Sequence, residues 1–233
     1  MGAAATLLTA CASDAPTSRG EVQGAEFQKS ELIQSESNRL ARGIMVANQQ
    51  SLMQLADKLY RRNPAEWRKS ATSREAALAL VETAVVSGKN WDPLAGHRDV
   101  GALSLALSPD FKGDRVAAFI IACNDTIVTA HGGKRDFYYL DGVDPQHIYN
   151  AARNMETALW VLNTRKDARG QPLLLANELT TDNRNLTFER EFGKIIGRLD
   201  LLAVLTTERY RRAVIGYGQS WVAAPLLVFL PVR

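Results

Sequence analysis

Apolar positions recur with a helical period along most of this chain. Between residues 26 and 62, Phe27, Ile33, Leu40, Ile44, Ala47, Leu52, Leu55 and Leu59 fall at three-, four- or near-seven-residue spacing, and Lys29, Glu31, Glu36, Arg39 and Arg42 take the other side. The stripe predicts a first long helix, on the order of 50 Å at the usual rise per residue. Asn63-Pro64 ends it, because the residue before proline avoids the helical region, and Pro64 opens a short turn through Trp67. Thr72-Ser73-Arg74-Glu75 reads as a capping box with Thr72 as the cap, followed by Leu78, Val81, Ala84 and Val85 on one face and closed by Gly88.

Breakers crowd residues 88–114, at Gly88, Pro93, Gly96, Gly101, Pro109 and Gly113, which leaves a loop with one short helix near Val100–Leu107. Arg115–His131 is the most apolar helix, with Val116, Phe119, Ile120, Cys123 and Ile127 inward and Gly132-Gly133 at its end. Lys134–Val143, with Phe137, Tyr138 and Tyr139, reads as irregular or briefly extended. Asp144-Pro145 is an N-cap and first-turn proline, and the helix runs to about Lys166 with Ile148, Ala152, Met155, Leu159 and Leu162 inward. A second long helix starts near Asn185, buries Phe188, Phe192, Ile195, Leu199 and Leu202, and weakens at Gly216 and Gly218 after Tyr210 or Ile215. No long alternating run of β-branched residues is present. The fold class expected is all-α: a single-domain bundle of about five to seven helices, two of them long, over residues 26–233.

The 233 residues carry 46% hydrophobic and 23% charged side chains, enough for a sizeable core. A net charge of +3 is far below that of a dedicated nucleic-acid binder, so no nucleic-acid partner is expected. Of the two cysteines, Cys123 sits in the apolar run and reads as a small buried hydrophobe rather than half of a disulfide with Cys11. No run of 18 apolar residues predicts a spanning helix.

Residues 1–10 are an uncharged apolar lead-in with small residues before Cys11, lacking the positive segment a signal peptide begins with. The missing segment predicts a true start upstream of Met1, and residues 1–10 read as a signal-peptide remnant. Leu8-Thr9-Ala10-Cys11 resembles the lipobox of bacterial lipoproteins: an aliphatic residue, two small residues and the cysteine. The resemblance covers these four residues and their lead-in. It implies a diacylglyceryl thioether on Cys11, which becomes the first residue after cleavage. Ala12 in place of the aspartate that signals inner-membrane retention implies the outer membrane, facing the periplasm. Residues 11–25, with Ser13, Asp14, Pro16, Thr17, Ser18, Gly20 and Gly24, read as a flexible tether.

Catalytic signatures are absent: no His-Glu-x-x-His, Gly-x-Ser-x-Gly, Ser-x-x-Lys or Walker-type loop. Three histidines, His97, His131 and His147, have no ligand spacing, so neither a metal nor a cofactor is expected. Asn124, Asp125, Thr129 and His131 end the most buried helix. They read either as a small polar pocket closed by Gly132-Gly133-Lys134, with Asn124, Asp125 and His131 as candidate ligand-binding residues, or as hydrogen-bonding and capping groups, His131 being favoured by the helix dipole. Gly193-x-x-x-Gly197 suggests a close helix crossing. Arg61, Arg62, Arg68, Lys69 and Arg74 form one basic cluster, and Arg209, Arg211 and Arg212 another; an anionic headgroup or acidic protein surface suits both better than nucleic acid. The tail Trp221–Val232 reads as packing back into the core or as a docking segment. The expected function is a lipid-anchored, non-enzymatic envelope accessory or scaffold with a protein partner. The alternative is a helical ligand-binding or enzymatic domain at Asn124, Asp125 and His131.

Overall fold

A computed structural model describes residues 36–88, 91–135, 142–179 and 184–227. The expected signal remnant and tether with Cys11, the first ten residues of the predicted first helix, Phe137–Tyr139 and the last six residues lie outside them.

Seven α-helices form among the described residues: α1 (Glu36–Arg62), α2 (Pro64–Trp67), α3 (Arg74–Ser87), α4 (Asp99–Ala106), α5 (Arg115–Ala130), α6 (Pro145–Thr164) and α7 (Thr187–Leu227). A 3-10 turn at Asp92–Leu94 precedes α4, and a two-residue antiparallel ladder joins β1 (Glu178–Leu179) to β2 (Arg184–Asn185) before α7. The architecture is an all-α bundle.

At its centre is α5. Fifteen of its sixteen residues are buried. Its Val, Ala, Phe and Ile side chains point in every direction, so it needs neighbours on all sides, and it packs against α1, α2, α3, α4 and α6. Phe119 reaches the Phe192 ring of α7 at 6.0 Å between centroids, and Phe192 meets Phe188 at 5.3 Å. The inward stripes expected for α6 (Ile148, Ala152, Met155, Leu159, Leu162) and α7 (Phe188, Phe192, Ile195, Leu199, Leu202) are all buried. Burying each of the larger of these side chains, the Ile, Leu, Met and Phe, is worth about 1.5–3 kcal/mol.

The helices are held in antiparallel register by polar contacts. Arg153 of α6 donates to Asp200 of α7 at 2.7 Å, and Asn163, ten residues later, donates to Glu189, eleven residues earlier, at 2.7 Å. Arg198 of α7 donates to the Ala47 carbonyl, Asn48 Oδ1 and Ser51 Oγ in the middle of α1. Asn63, just past α1, both donates to and accepts from the backbone of Leu175, near the segment whose Asn177 bonds Glu189. The C-terminal end of α1 therefore lies beside the start of α7, and the two helices run in opposite directions.

Several expectations are corrected. Ser73, not Thr72, caps α3, accepting from the Ala76 amide at 3.1 Å; the cap sits one residue later, where the helix gains its first turn. In α1, Leu40 is exposed and Ala41, Met45, Asn48, Ser51 and Tyr60 join the buried side, because the stripe drifts round a helix that packs on both α5 and α7. α7 does not stop near Ile215: its backbone stays helical through Gly216, Gly218 and Pro225 to Leu227, so Trp221–Leu227 continues the helix instead of returning as a separate segment. Gly193 and Gly197 lie on the exposed side of α7 with no atom within 4 Å of an added Cβ, so no helix of the described residues crosses there.

Candidate functional site

α5 is apolar all round, yet it carries Asn124, Asp125 and Thr126 in its buried length. Each buried polar group needs a partner, and the partners define the site. Asn124 accepts from Gln49 Nε2 of α1 at 3.1 Å and donates to the Val85 carbonyl of α3 at 3.3 Å. Thr126 donates to the Ala122 carbonyl of its own helix.

Asp125 holds the N-terminus of α4. Arg98, the residue at that cap position, supplies no capping side chain of its own. The Asp125 carboxylate accepts instead from the Asp99 amide at 2.7 Å, and from Arg98 Nε at 2.9 Å on both oxygens, with Arg98 Nη2 also on Oδ1. A carboxylate on one helix thus caps another, where the positive end of the dipole favours it. The hydrogen bonds that Arg98 donates to Asp125 hold its guanidinium above its ordinary pKa despite some opposing desolvation.

The same corner is closed by Arg135, which donates to the Val85 and Val86 carbonyls at the end of α3. Gly88 is required there: its φ is +65°, and a Cβ would meet the Arg135 guanidinium at 2.6 Å. Trp91, Leu94, Gly96 and His97 complete a cleft with Asn124 and Asp125 on its floor. Its volume of about 20 Å³ holds about one water molecule.

The structure brings Asn124 and Asp125 to this cleft but not His131. His131 caps the far end of α5, buried, with Nδ1 2.8 Å from the Ile127 carbonyl. A carbonyl only accepts, so Nδ1 carries the proton. Burial pushes the imidazole pKa down, so it is held neutral and a charge–dipole role does not describe it. The cleft is closed by Gly88 and Arg135, not by Gly132-Gly133-Lys134, and Thr129 is exposed.

A second polar centre escaped the sequence reading. Asp114 caps α5 through the Ala117 amide at 3.0 Å and accepts from Tyr60 Oη at 2.7 Å and Ser70 Oγ at 2.6 Å. Burial pushes the Asp114 carboxyl up from its ordinary value and, with the adjacent carboxylate, pushes the Tyr60 hydroxyl up as well. Next to it Glu66 accepts from the Arg115 amide and from Lys69. Arg115 is buried and spends its guanidinium on the Ala106, Ser108 and Phe111 carbonyls, tying the end of α4 to the start of α5. The only sequence signal for this centre is Asp114 directly before an apolar helix; Tyr60 and Ser70 are 54 and 44 residues away.

Outside it runs an open groove of about 400 Å³ between Tyr60, Pro64, Trp67, Thr72 and Arg74. The basic cluster along it is largely internally compensated. Arg61 pairs with Asp57, Arg74 with Asp57 and Glu75, Lys69 with Glu66, and Arg68 lies over the Trp67 ring. Among the described residues, no group of three or more His, Cys, Asp or Glu side chains is placed to hold a metal ion. Cys123 is a buried free thiol whose pKa is pushed up by burial, so it is a poor nucleophile. Comparison with known proteins finds no matching family model, no matching curated protein and no matching solved structure.

Proposed function

We propose that this chain is a lipid-anchored protein of the bacterial envelope, attached through Cys11 to the outer membrane and facing the periplasm, where it acts as a non-enzymatic accessory or scaffold for a protein partner. The observation that carries the reading is Leu8-Thr9-Ala10-Cys11 followed at once by a polar spacer. Among the described residues no helix is long and apolar enough to cross a membrane. The acyl chains on Cys11 would supply the attachment, each buried CH2 adding about 0.8 kcal/mol. The cleft at Asn124 and Asp125 has room for about one water, which favours a role in holding a partner over binding a metabolite at those residues.

Metabolic labelling with a clickable fatty acid tests the anchor: the natural chain takes up label, and Cys11→Ala does not. Equal labelling of both chains would reject it. Crosslinking in intact cells, followed by affinity capture, tests the scaffold role: one envelope protein is expected to crosslink reproducibly through the bundle, and a chain that crosslinks to nothing above an unrelated lipoprotein control would reject it.

A further inference from the structure

Residues 57–75 hold six basic and three acidic side chains, and the other 214 residues hold 22 of each. The net charge of +3 is therefore the charge of this one stretch, which covers the end of α1, α2 and the turn into α3. The ion pairs inside it do not balance it. Asp57 serves both Arg61, at 2.9 Å, and Arg74, at 3.5 Å, so one carboxylate answers two guanidiniums. Arg68 is exposed, rests on the Trp67 ring 5.1 Å from its centroid, and pairs with no carboxylate among the described residues.

The same stretch walls the open groove of about 400 Å³. Tyr60 lies at its base, fully buried, with its hydroxyl committed to Asp114. Pro64 and Trp67 supply apolar wall, Pro64 exposed and Trp67 half-buried against the core. Arg61 and Arg74 supply the charge. The one acid lining the groove, Glu75, is already engaged by Arg74 at 2.9 Å. Tryptophan, tyrosine and arginine dominate the centres of protein interfaces, because each joins a large flat contact area to a polar end. A groove this open suits a strip of chain laid across it better than a small molecule enclosed on most of its surface.

We propose that this groove is where a partner protein docks an acidic segment, with its carboxylates against Arg61, Arg68 and Arg74 and an apolar side chain against Trp67 and Pro64. Guanidinium pairs with carboxylate through its planar fork, and the uncompensated positive charge favours an acidic partner over a neutral or basic one. A second copy of the chain is a poorer occupant, because outside this stretch the chain carries no excess of acid. The proposal rests on the scaffold reading above and names the chemistry of the partner; it does not depend on the lipid on Cys11.

Two fluorescein-labelled heptapeptides are the probes, Glu-Asp-Glu-Phe-Glu-Asp-Glu and Lys-Arg-Lys-Phe-Lys-Arg-Lys, with anisotropy read on the full chain carrying Cys11→Ala. The acidic peptide should bind at least about tenfold more tightly than the basic one and loosen with added salt. Serine in place of its phenylalanine should weaken it about tenfold. Arg61→Glu with Arg68→Glu should weaken binding about tenfold, while Arg190→Glu with Arg212→Glu, exposed positions on α7, should leave it within about twofold. Circular dichroism melts show whether each variant is folded; if the first pair is not, Arg68→Gln alone should still weaken binding about threefold. Equal binding of the two peptides, or equal loss in the two charge-reversed pairs, overturns the proposal. So does a gain of about tenfold when Glu21→Gln, Glu26→Gln and Glu31→Gln are combined, because the chain's own N-terminal segment would then occupy the groove. A dimer in light scattering that Arg61→Glu with Arg68→Glu dissociates overturns it too, in favour of a second copy. If crosslinking in cells yields a partner whose recovery that pair leaves unchanged, the groove proposal falls and the scaffold reading stands; if no partner crosslinks at all, the scaffold reading falls first.

Discussion

His131 shows how one buried side chain sets a pH dependence. In the folded protein burial holds its pKa below the ordinary 6.5, while the unfolded chain titrates near that value. Below about pH 6.5 the unfolded state takes up a proton that the folded state refuses, so unfolding is favoured. The stability tied to a neutral His131 is complete above pH 6.5 and is lost as pH falls toward the folded pKa. His131→Gln keeps a donor and removes the titration. Urea midpoints measured at pH 7.5, 6.5 and 5.5 should therefore fall less steeply for the variant than for the natural chain; parallel curves would show that His131 does not titrate differently in the two states. Asp125 makes a second case. Its buried carboxylate serves both the Asp99 amide and Arg98, whose side chain is 53% exposed. Removing the acceptor orphans a helix N-terminus, whereas removing Arg98 loses a solvent-screened pair. Asp125→Ala should cost about 2 kcal/mol and Arg98→Ala less than about 1 kcal/mol by chemical denaturation. Equal costs would mean that the ion pair, and not the cap, dominates.

At the scale of elements, α7 carries two faces of different kinds. Phe188, Phe192, Ile195, Leu199 and Leu202 face the bundle, and Gly193, Gly197, Leu201, Val204 and Leu205 face away from it. Glycine in an exposed helix interior weakens the helix without a compensating contact. Gly193→Ala and Gly197→Ala should each stabilise the protein by about 0.5–1 kcal/mol, raising Tm by a few degrees when combined. A loss of stability would restore the close crossing that Gly-x-x-x-Gly suggests in isolation. The inward stripes of α6 and α7 were legible because each packs one spacing pattern against one core, and Asp144 before Pro145 announced its own cap, accepting from the Gln146 amide. Other features were not legible. A capping side chain that reaches across from another helix, as Asp125 does to α4, leaves no local pattern, and neither does a tyrosine 54 residues from the carboxylate it bonds. The glycine pair failed for the reverse reason: the pattern is local, but whether a helix lies opposite it is decided by tertiary packing. Leu40 fell outside because a long helix touching two neighbours does not keep one straight stripe.

For the whole molecule, the decisive asymmetry is between α5, surrounded on every side, and the distal half of α7, which has no buried described side chain after Ala203. A helix enclosed by five others opens only when the bundle opens, so its amides should exchange through global unfolding, while amides beyond Val204 should exchange through local fraying at much lower free energy. Native-state hydrogen exchange measured with rising urea distinguishes the two. The Val116–Ile127 amides should share one strongly urea-dependent free energy, and those beyond Val204 should show smaller values with little urea dependence. The same asymmetry fixes the cost of core damage. Phe119 is fully buried and lies against the Phe192 ring, so Phe119→Ala should cost about 3–5 kcal/mol, a large share of a typical domain's 5–15 kcal/mol. That loss should lower the exchange free energies of α5 by the same amount and leave those beyond Val204 unchanged, because local fraying does not pass through the core. If Phe119→Ala lowered both equally, the distal half of α7 would open only with the bundle.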